Sequence, residues 1–297
     1  MKKNKILISL ILIASKTINA PTMQENIKID GIIEEEVWGK AAIVENWIQQ
    51  QPEEGQKGTL EARFFIWRDE KNLYIGYEAK TDKVINHYKK RDQTLYNDDK
   101  IEIVLDPYLS KRNGYYFGIN ANGSRVDGTI TNESRQDQDW DGYWEGMGTL
   151  TKDGWSAEIK IPFSTLAYSK DNNAWGINFR YWNTENRESG YWTGWEKSNS
   201  LNTLSKAGEL TGMKNLPNSN PWIFKPFALG KVIEEAKTEY DFDAGVDIAG
   251  TPWKGWRIAS VLNADFGEAE ADIQQSNITR YSLFFPEKRD FFLENSG

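Results

Sequence analysis

Tyr96-Asn-Asp-Asp-Lys-Ile-Glu-Ile-Val-Leu-Asp106-Pro107 sets an acidic turn directly against a strictly alternating run. Ile101, Ile103 and Leu105 share one face. Lys100, Glu102, Val104 and Asp106 share the other, the period of two that marks a half-buried β-strand, and Pro107 ends the ladder because it has no N–H to donate. A similar run lies upstream, where Leu73, Ile75, Tyr77 and Ala79 alternate with Tyr74, Gly76 and Glu78. Two neighbouring strands of this kind ask for a sheet.

Working outward, strands are predicted over Arg63 to Trp67, Leu73 to Ala79, Ile101 to Asp106, Tyr115 to Asn120, Trp155 to Ile161 and Ile177 to Trp182. Asn113-Gly114, Asn122-Gly123 and Asp153-Gly154 supply hairpin dipeptides that accept positive φ. The 297 residues are 39% hydrophobic and 13% aromatic, so much of the available core is Trp, Tyr and Phe rather than Leu, which favours sheets. The expected class is all-β, a two-sheet antiparallel β-sandwich.

Asn215-Leu-Pro-Asn-Ser-Asn-Pro221 interrupts any ladder and marks a domain boundary. Beyond it Trp222 to Gly230, Asp241 to Ile248, Trp256 to Ala264 and Thr279 to Phe285 read as strands. Tyr240, Phe242, Ala244, Val246 and Ile248 alternate with Asp241, Asp243 and Asp247, as lipid-facing and lumen-facing residues do in a membrane barrel or as the two faces do in any amphipathic sheet. Four strands cannot close a barrel.

At the other end, Lys2, Lys3 and Lys5 precede an apolar run from Ile6 to Ala14, with Ala20 as a small residue at a cleavage point, the pattern of an export leader over residues 1–20. Cleavage after Ala14 or Ser15 is the alternative. Removing residues 1–20 takes away four lysines and no acid, shifting the formal charge from -8 to -12. So acidic a chain repels phosphate backbones, and nucleic acid is not an expected partner. With no cysteine there is neither a disulfide nor a thiolate site, and the single histidine, His87, stands in a charged run.

Sugar recognition needs flat apolar rings beside planar donors and acceptors. Asp139-Trp-Asp-Gly-Tyr-Trp-Glu145 has that composition and offers Trp140 and Trp144; Arg180-Tyr-Trp-Asn-Thr-Glu-Asn-Arg187 offers Arg180 and Trp182. Core packing competes for the same rings. Asp98, Asp99 and Glu102 gather hard oxygen ligands beside a turn, a possible Ca2+ site. Glycoside hydrolysis would need a pair of carboxylates, and none of the 44 acids is singled out by its position in the sequence.

Ile29-Asp-Gly with Trp38, Asn72-Leu-Tyr-Ile-Gly, Asp99-Lys-Ile-Glu-Ile-Val-Leu-Asp, Phe117-Gly-Ile-Asn, Gly154-Trp-Ser-Ala-Glu-Ile-Lys-Ile-Pro-Phe, Trp175-Gly-Ile-Asn-Phe-Arg and Gly208-Glu-Leu occur in an order and spacing that resembles the family 9 carbohydrate-binding-like β-sandwich, from about Ile27 to Met213. The resemblance implies non-covalent binding of an oligosaccharide or polysaccharide held between two aromatic rings. The first ring maps onto Tyr96. The second maps near Leu201, where no aromatic stands, and an arginine of sugar-binding members is Gly118 here. The family also implies a structural calcium.

The tail from Asn263 to Asn295 resembles the start of an uncharacterised outer-membrane β-barrel domain. The organisation implied is a signal peptide over 1–20, a sandwich over 21–215, a linker over 216–221 and the first strands of an incomplete barrel over 222–297, in an exported protein of the periplasm or outer membrane. Two other roles follow from the same resemblances: a plug or docking domain that binds no sugar, and a hydrolase of O-glycosyl compounds in carbohydrate catabolism.

Overall fold

The computed structural model describes residues 16–138, 140–217, 223–234, 238–253 and 256–262. Strands are numbered in chain order. A long sheet comprises β1 (Thr17–Asn19), β3 (Ile48–Gln51), β6 (Lys100–Asp106), β7 (Gly114–Asn120), β8 (Arg125–Thr131), β9 (Arg135–Asp137), β12 (Ala174–Asn183), β13 (Glu188–Tyr191) and β14 (Gly208–Thr211). Its order is β1-β14-β12-β6-β7-β8-β9, with β13 also pairing β12 and β3 pairing β13. The second sheet has β2 (Ala42–Val44), β4 (Glu61–Arg68), β5 (Asn72–Lys80), β10 (Glu145–Thr151) and β11 (Gly154–Pro162), in the order β10-β11-β5-β4-β2.

Alternation decides what lies between the sheets. Phe64 on β4 meets Phe179 on β12 at 4.8 Å between ring centroids, and Tyr77 and Trp47 close around them. Ile101, Ile103 and Leu105 are buried in this core, as the opening stretch predicts. The other face of β6 is covered too. Val104 packs with Leu95, Tyr116, Val126, Ile130, Tyr191, Leu201 and Leu204 in a second cluster, because the loops before β6 and before β14 fold over the sheet. β6 is therefore buried on both faces, not half-buried.

The Ile29-Asp-Gly signpost has a structural cause. Residues 23–41 lie over the outer face of the five-stranded sheet, where Val37 and Trp38 pack on Phe65, Trp67 and Tyr74. Glu158 fastens them: it accepts the backbone N–H groups of Asp30 and Gly31, each at 2.9 Å, and the Trp38 indole N–H at 3.0 Å. Gly31 sits at φ +85°, and a Cβ there would stand 2.7 Å from Thr149 Oγ1, so only glycine fits.

Two expected boundaries need correction, and the strands expected past the linker form a sheet. Thr17 to Asn19, assigned to the leader, form an edge strand parallel to β14, with Ile18 and Ala20 buried and Lys16 Nζ donating to Trp192 O at 2.7 Å. The sandwich thus starts near residue 16 and contains one parallel pair of strands; residues 1–15 lie outside the described residues. At the far end Leu216 is buried and Pro217 O accepts from Tyr168, so the sandwich runs past 215 before the expected linker, of which residues 218–221 lie outside the described residues. Finally, β15 (Ile223–Glu234), β16 (Thr238–Trp253) and β17 (Trp256–Leu262) form an open antiparallel three-stranded sheet, and no closed barrel occurs among the described residues. The expected strand over Thr279 to Phe285 lies outside them.

Candidate carbohydrate-binding face

Cα register places Lys100 opposite Trp182, Glu102 opposite Arg180 on one side and Gly118 on the other, and Arg180 opposite Tyr191. Partners in register share a face, so these side chains stand together on the outer face of the long sheet. Tyr96 lies at its rim. Its turn is held down by Leu95, which is buried in the outer cluster, while the Tyr96 ring is 79% exposed.

The acidic turn is what fixes that ring. Asp98 is fully buried and accepts the backbone N–H groups of His87 and Tyr88 at 2.8 and 2.9 Å and the Asn120 side-chain amide at 2.7 Å, with the His87 ring nitrogen at 3.0 Å. Asp99 accepts from Ile85 N and Thr184 N. Burial pushes its carboxyl above the usual range although those N–H bonds oppose the shift. Glu102 faces elsewhere, toward Tyr116, Lys100 and Arg180. The three carboxylates expected to share a calcium thus point at protein donors rather than at one another, and no group of three potential metal ligands occurs among the described residues. Asp98 and Asp99 serve the loop between β5 and β6.

Glu102 anchors the face electrostatically. Its Oε1 accepts the Tyr116 hydroxyl at 2.7 Å and lies 3.4 Å from Lys100 Nζ; its Oε2 is 2.7 Å from Arg180 Nε. Burial disfavours its charge, but Arg180, Lys100 and Tyr116 outweigh that and hold the carboxyl below its usual range. Arg180 also donates from Nη1 to the Tyr191 hydroxyl at 3.2 Å. The contact between Glu102 Oε2 and Arg180 Nε is close but off the line of a hydrogen bond, and both atoms are buried without a hydrogen-bond partner. Trp182 Nε1 and Ser189 Oγ, opposite each other on the same face, are orphaned likewise. Orphaned buried polar atoms cost ~1–3 kcal/mol each, and they occur in the main core as well, at Trp144 Nε1 and Trp175 Nε1.

Trp182 is partly exposed while its N–H is buried, so the portion shown to solvent is ring carbon. Trp182 is therefore an aromatic surface at the Lys100 end of the face, and the exposed Tyr96 ring stands in the turn that leads into it. Leu201, where the resemblance asks for a second ring, is buried in the outer cluster. At Gly118 there is no room for a side chain: a Cβ would stand 2.9 Å from Val126 Cγ1 and 3.0 Å from the Tyr116 hydroxyl. Arg180 stands on the other side of Glu102 from Gly118.

Two expected site residues do not join this face. Trp144 is 2% exposed and sits in the main core, edge-on to Phe117 at 5.4 Å with the Arg125 guanidinium 5.2 Å from its ring. Trp140 is partly buried against the same core, 5.1 Å from Tyr115 and 6.1 Å from Phe117. Both rings pack on the core from the segment before β10, whatever the polar residues around them in sequence. Sequence reasoning also missed Lys100 and Tyr116 as members of the site. Their shared parity with Glu102 across β6 and β7 was the available signal.

Glu158 has the raised carboxyl, about 7, that a general acid would need, and burial is the main cause. It is wholly enclosed, with both oxygens turned to Asp30, Gly31 and Trp38. That makes it a staple of the fold.

Known proteins share the fold. The carbohydrate family 9 binding domain-like family matches residues 29–211, and the chain belongs to it. A candidate carbohydrate-binding protein from Bacteroides uniformis is similar in structure with a TM-score of 0.55 at 14% identity, over 67% of this chain and 99% of that one. A family 9 carbohydrate-binding module from Caldicellulosiruptor kristjanssonii in complex with cellotriose aligns with a TM-score of 0.46 at 19% identity, covering 66% of this chain and 93% of that one. The same organism's module in complex with glucose gives 0.45 at 20% identity over 69% and 100%. Among curated proteins none matches the chain at a significant level.

Proposed function

We propose that the sandwich binds a saccharide non-covalently on the outer face of its long sheet, between Tyr96 and Trp182 and over the Glu102–Arg180 pair, in a protein exported to the periplasm or outer membrane. The observation that carries the reading is the 79% exposed Tyr96 ring in the turn that leads into β6, together with the partly exposed Trp182 opposite Lys100 on the outer face. Family membership supports it, since the fold is the one this class uses for sugar. The basic start and apolar run before residue 15 support export. Calorimetric titration of the full chain with a panel of oligosaccharides tests the binding: Tyr96→Ala should cost about 1–3 kcal/mol of affinity. Heats that are null for every saccharide would overturn it.

A second reading, that the β15–β17 sheet belongs to a membrane-embedded barrel, is favoured by one observation. Phe242 is 74% exposed on a β16 face that also carries Ala244, Val246 and Ile248. Recovery of the full chain in the carbonate-washed membrane pellet would support it, and recovery in the supernatant would contradict it.

A further inference from the structure

Charge on the proposed face is unbalanced, and the imbalance selects among saccharides. Two cations, Lys100 and Arg180, meet one carboxylate, Glu102. All three are largely withdrawn from water, with side chains 12%, 23% and 7% exposed. Partly desolvated cations in excess of their counter-charge are costly and attract an anion.

Hydrogen-bonding capacity runs the same way. Glu102 is the acceptor the face would offer a sugar hydroxyl, yet Oε1 already faces Tyr116 and Lys100, and Oε2 faces Arg180 Nε. Lysine and arginine carry donors and no acceptor. With Nε at Glu102 and Nη1 at Tyr191, Arg180 keeps further guanidinium N–H groups on a side chain 23% exposed, and Lys100 keeps N–H groups beyond its contact with Glu102. A neutral sugar hydroxyl both donates and accepts, and toward Lys100 and Arg180 it can only accept. A carboxylate only accepts.

We propose, on the basis of the saccharide-binding reading, that this face is built for an acidic saccharide, one whose sugar carries a carboxylate that pairs with Arg180 and Lys100 while its ring lies on Tyr96. The surrounding protein does not provide this pull, for the chain as a whole carries a formal charge of -8. The preference comes from the local pair.

The test is titration of the full chain with an oligogalacturonate and with a neutral cello-oligosaccharide of equal length, at low and at high salt, for the native protein and for Lys100→Gln, whose melting temperature is checked alongside. At low salt the acidic ligand should bind at least ~10-fold tighter than the neutral one, an advantage that shrinks at high salt and in Lys100→Gln, because screening and loss of the cation remove the same attraction. Equal or tighter binding of the neutral ligand would overturn the acidic preference and leave the saccharide site standing. Binding of neither would overturn both. A preference for the acidic ligand that survives both high salt and Lys100→Gln would overturn the assignment to this face.

Discussion

Replacing Trp144 by alanine separates the face described above from the aromatic cluster that composition alone singles out. Trp144 is 2% exposed, packed edge-on against Phe117 at 5.4 Å, with Arg125 5.2 Å from its ring. Removing so large a buried ring leaves a cavity between the sheets and costs ~3–5 kcal/mol of stability, with the lost cation–π contact adding about 0.5–1 kcal/mol. Arg125 Nη1 would keep its bond to Trp144 O, a backbone group that the substitution leaves in place. Urea unfolding followed by far-ultraviolet circular dichroism should show the loss as a lower midpoint with little change in slope. Saccharide affinity, measured by calorimetry where the variant is folded, should be unchanged. Tyr96→Ala should do the reverse, since a ring 79% exposed contributes within about 0.5 kcal/mol to stability. A Trp144→Ala protein that keeps its stability but loses saccharide affinity would refute the reasoning.

A chain that begins at Pro21 should be less stable than one that begins at Lys16 by roughly 2 kcal/mol or more, because it lacks β1 and the buried Ile18 side chain; equal melting temperatures would contradict the place given to that strand. Glu158 should make stability depend on pH. Its folded value, about 7, lies above the ordinary 4.5, so the contribution is fully present below 4.5 and lost as pH rises through 7, by about 3 kcal/mol across that window. Glu158→Gln should flatten that slope in urea titrations at pH 4.5 and 8, and an unchanged slope would count against the buried carboxyl as its source.

The core strands were legible because their alternation is carried by side chains that also need burial. Ile101, Ile103 and Leu105 sit where period two puts them. β1 was not legible, since Thr-Ile-Asn is three residues long and follows directly on an apolar run that resembles a leader. Trp144 was misplaced for a different reason: polar neighbours in sequence say nothing of which face a ring takes. Its parity did. Gly146, Gly148 and Leu150 share it, and they pair with Ile159, Ala157 and Trp155, members of the inner core. The acids at 98 and 99 show the converse limit, because a cluster of carboxylates is the same in sequence whether it surrounds an ion or accepts N–H bonds from a distant loop. Burial of the outer face depends on the loops that carry Leu95 and Leu201, and no local pattern encodes where a loop lies.

The indole N–H resonances of the full chain, labelled at tryptophan nitrogen and followed during titration with an oligosaccharide, test the central claim most directly. Trp182 stands partly exposed on the proposed face, whereas Trp144, Trp155 and Trp175 are buried in the main core. The Trp182 signal, assigned by its disappearance in Trp182→Phe, should move in proportion to ligand bound while those three stay fixed. Binding that shifts the Trp144 or Trp175 signal and leaves Trp182 in place would contradict the assignment of the saccharide to the outer face of the long sheet.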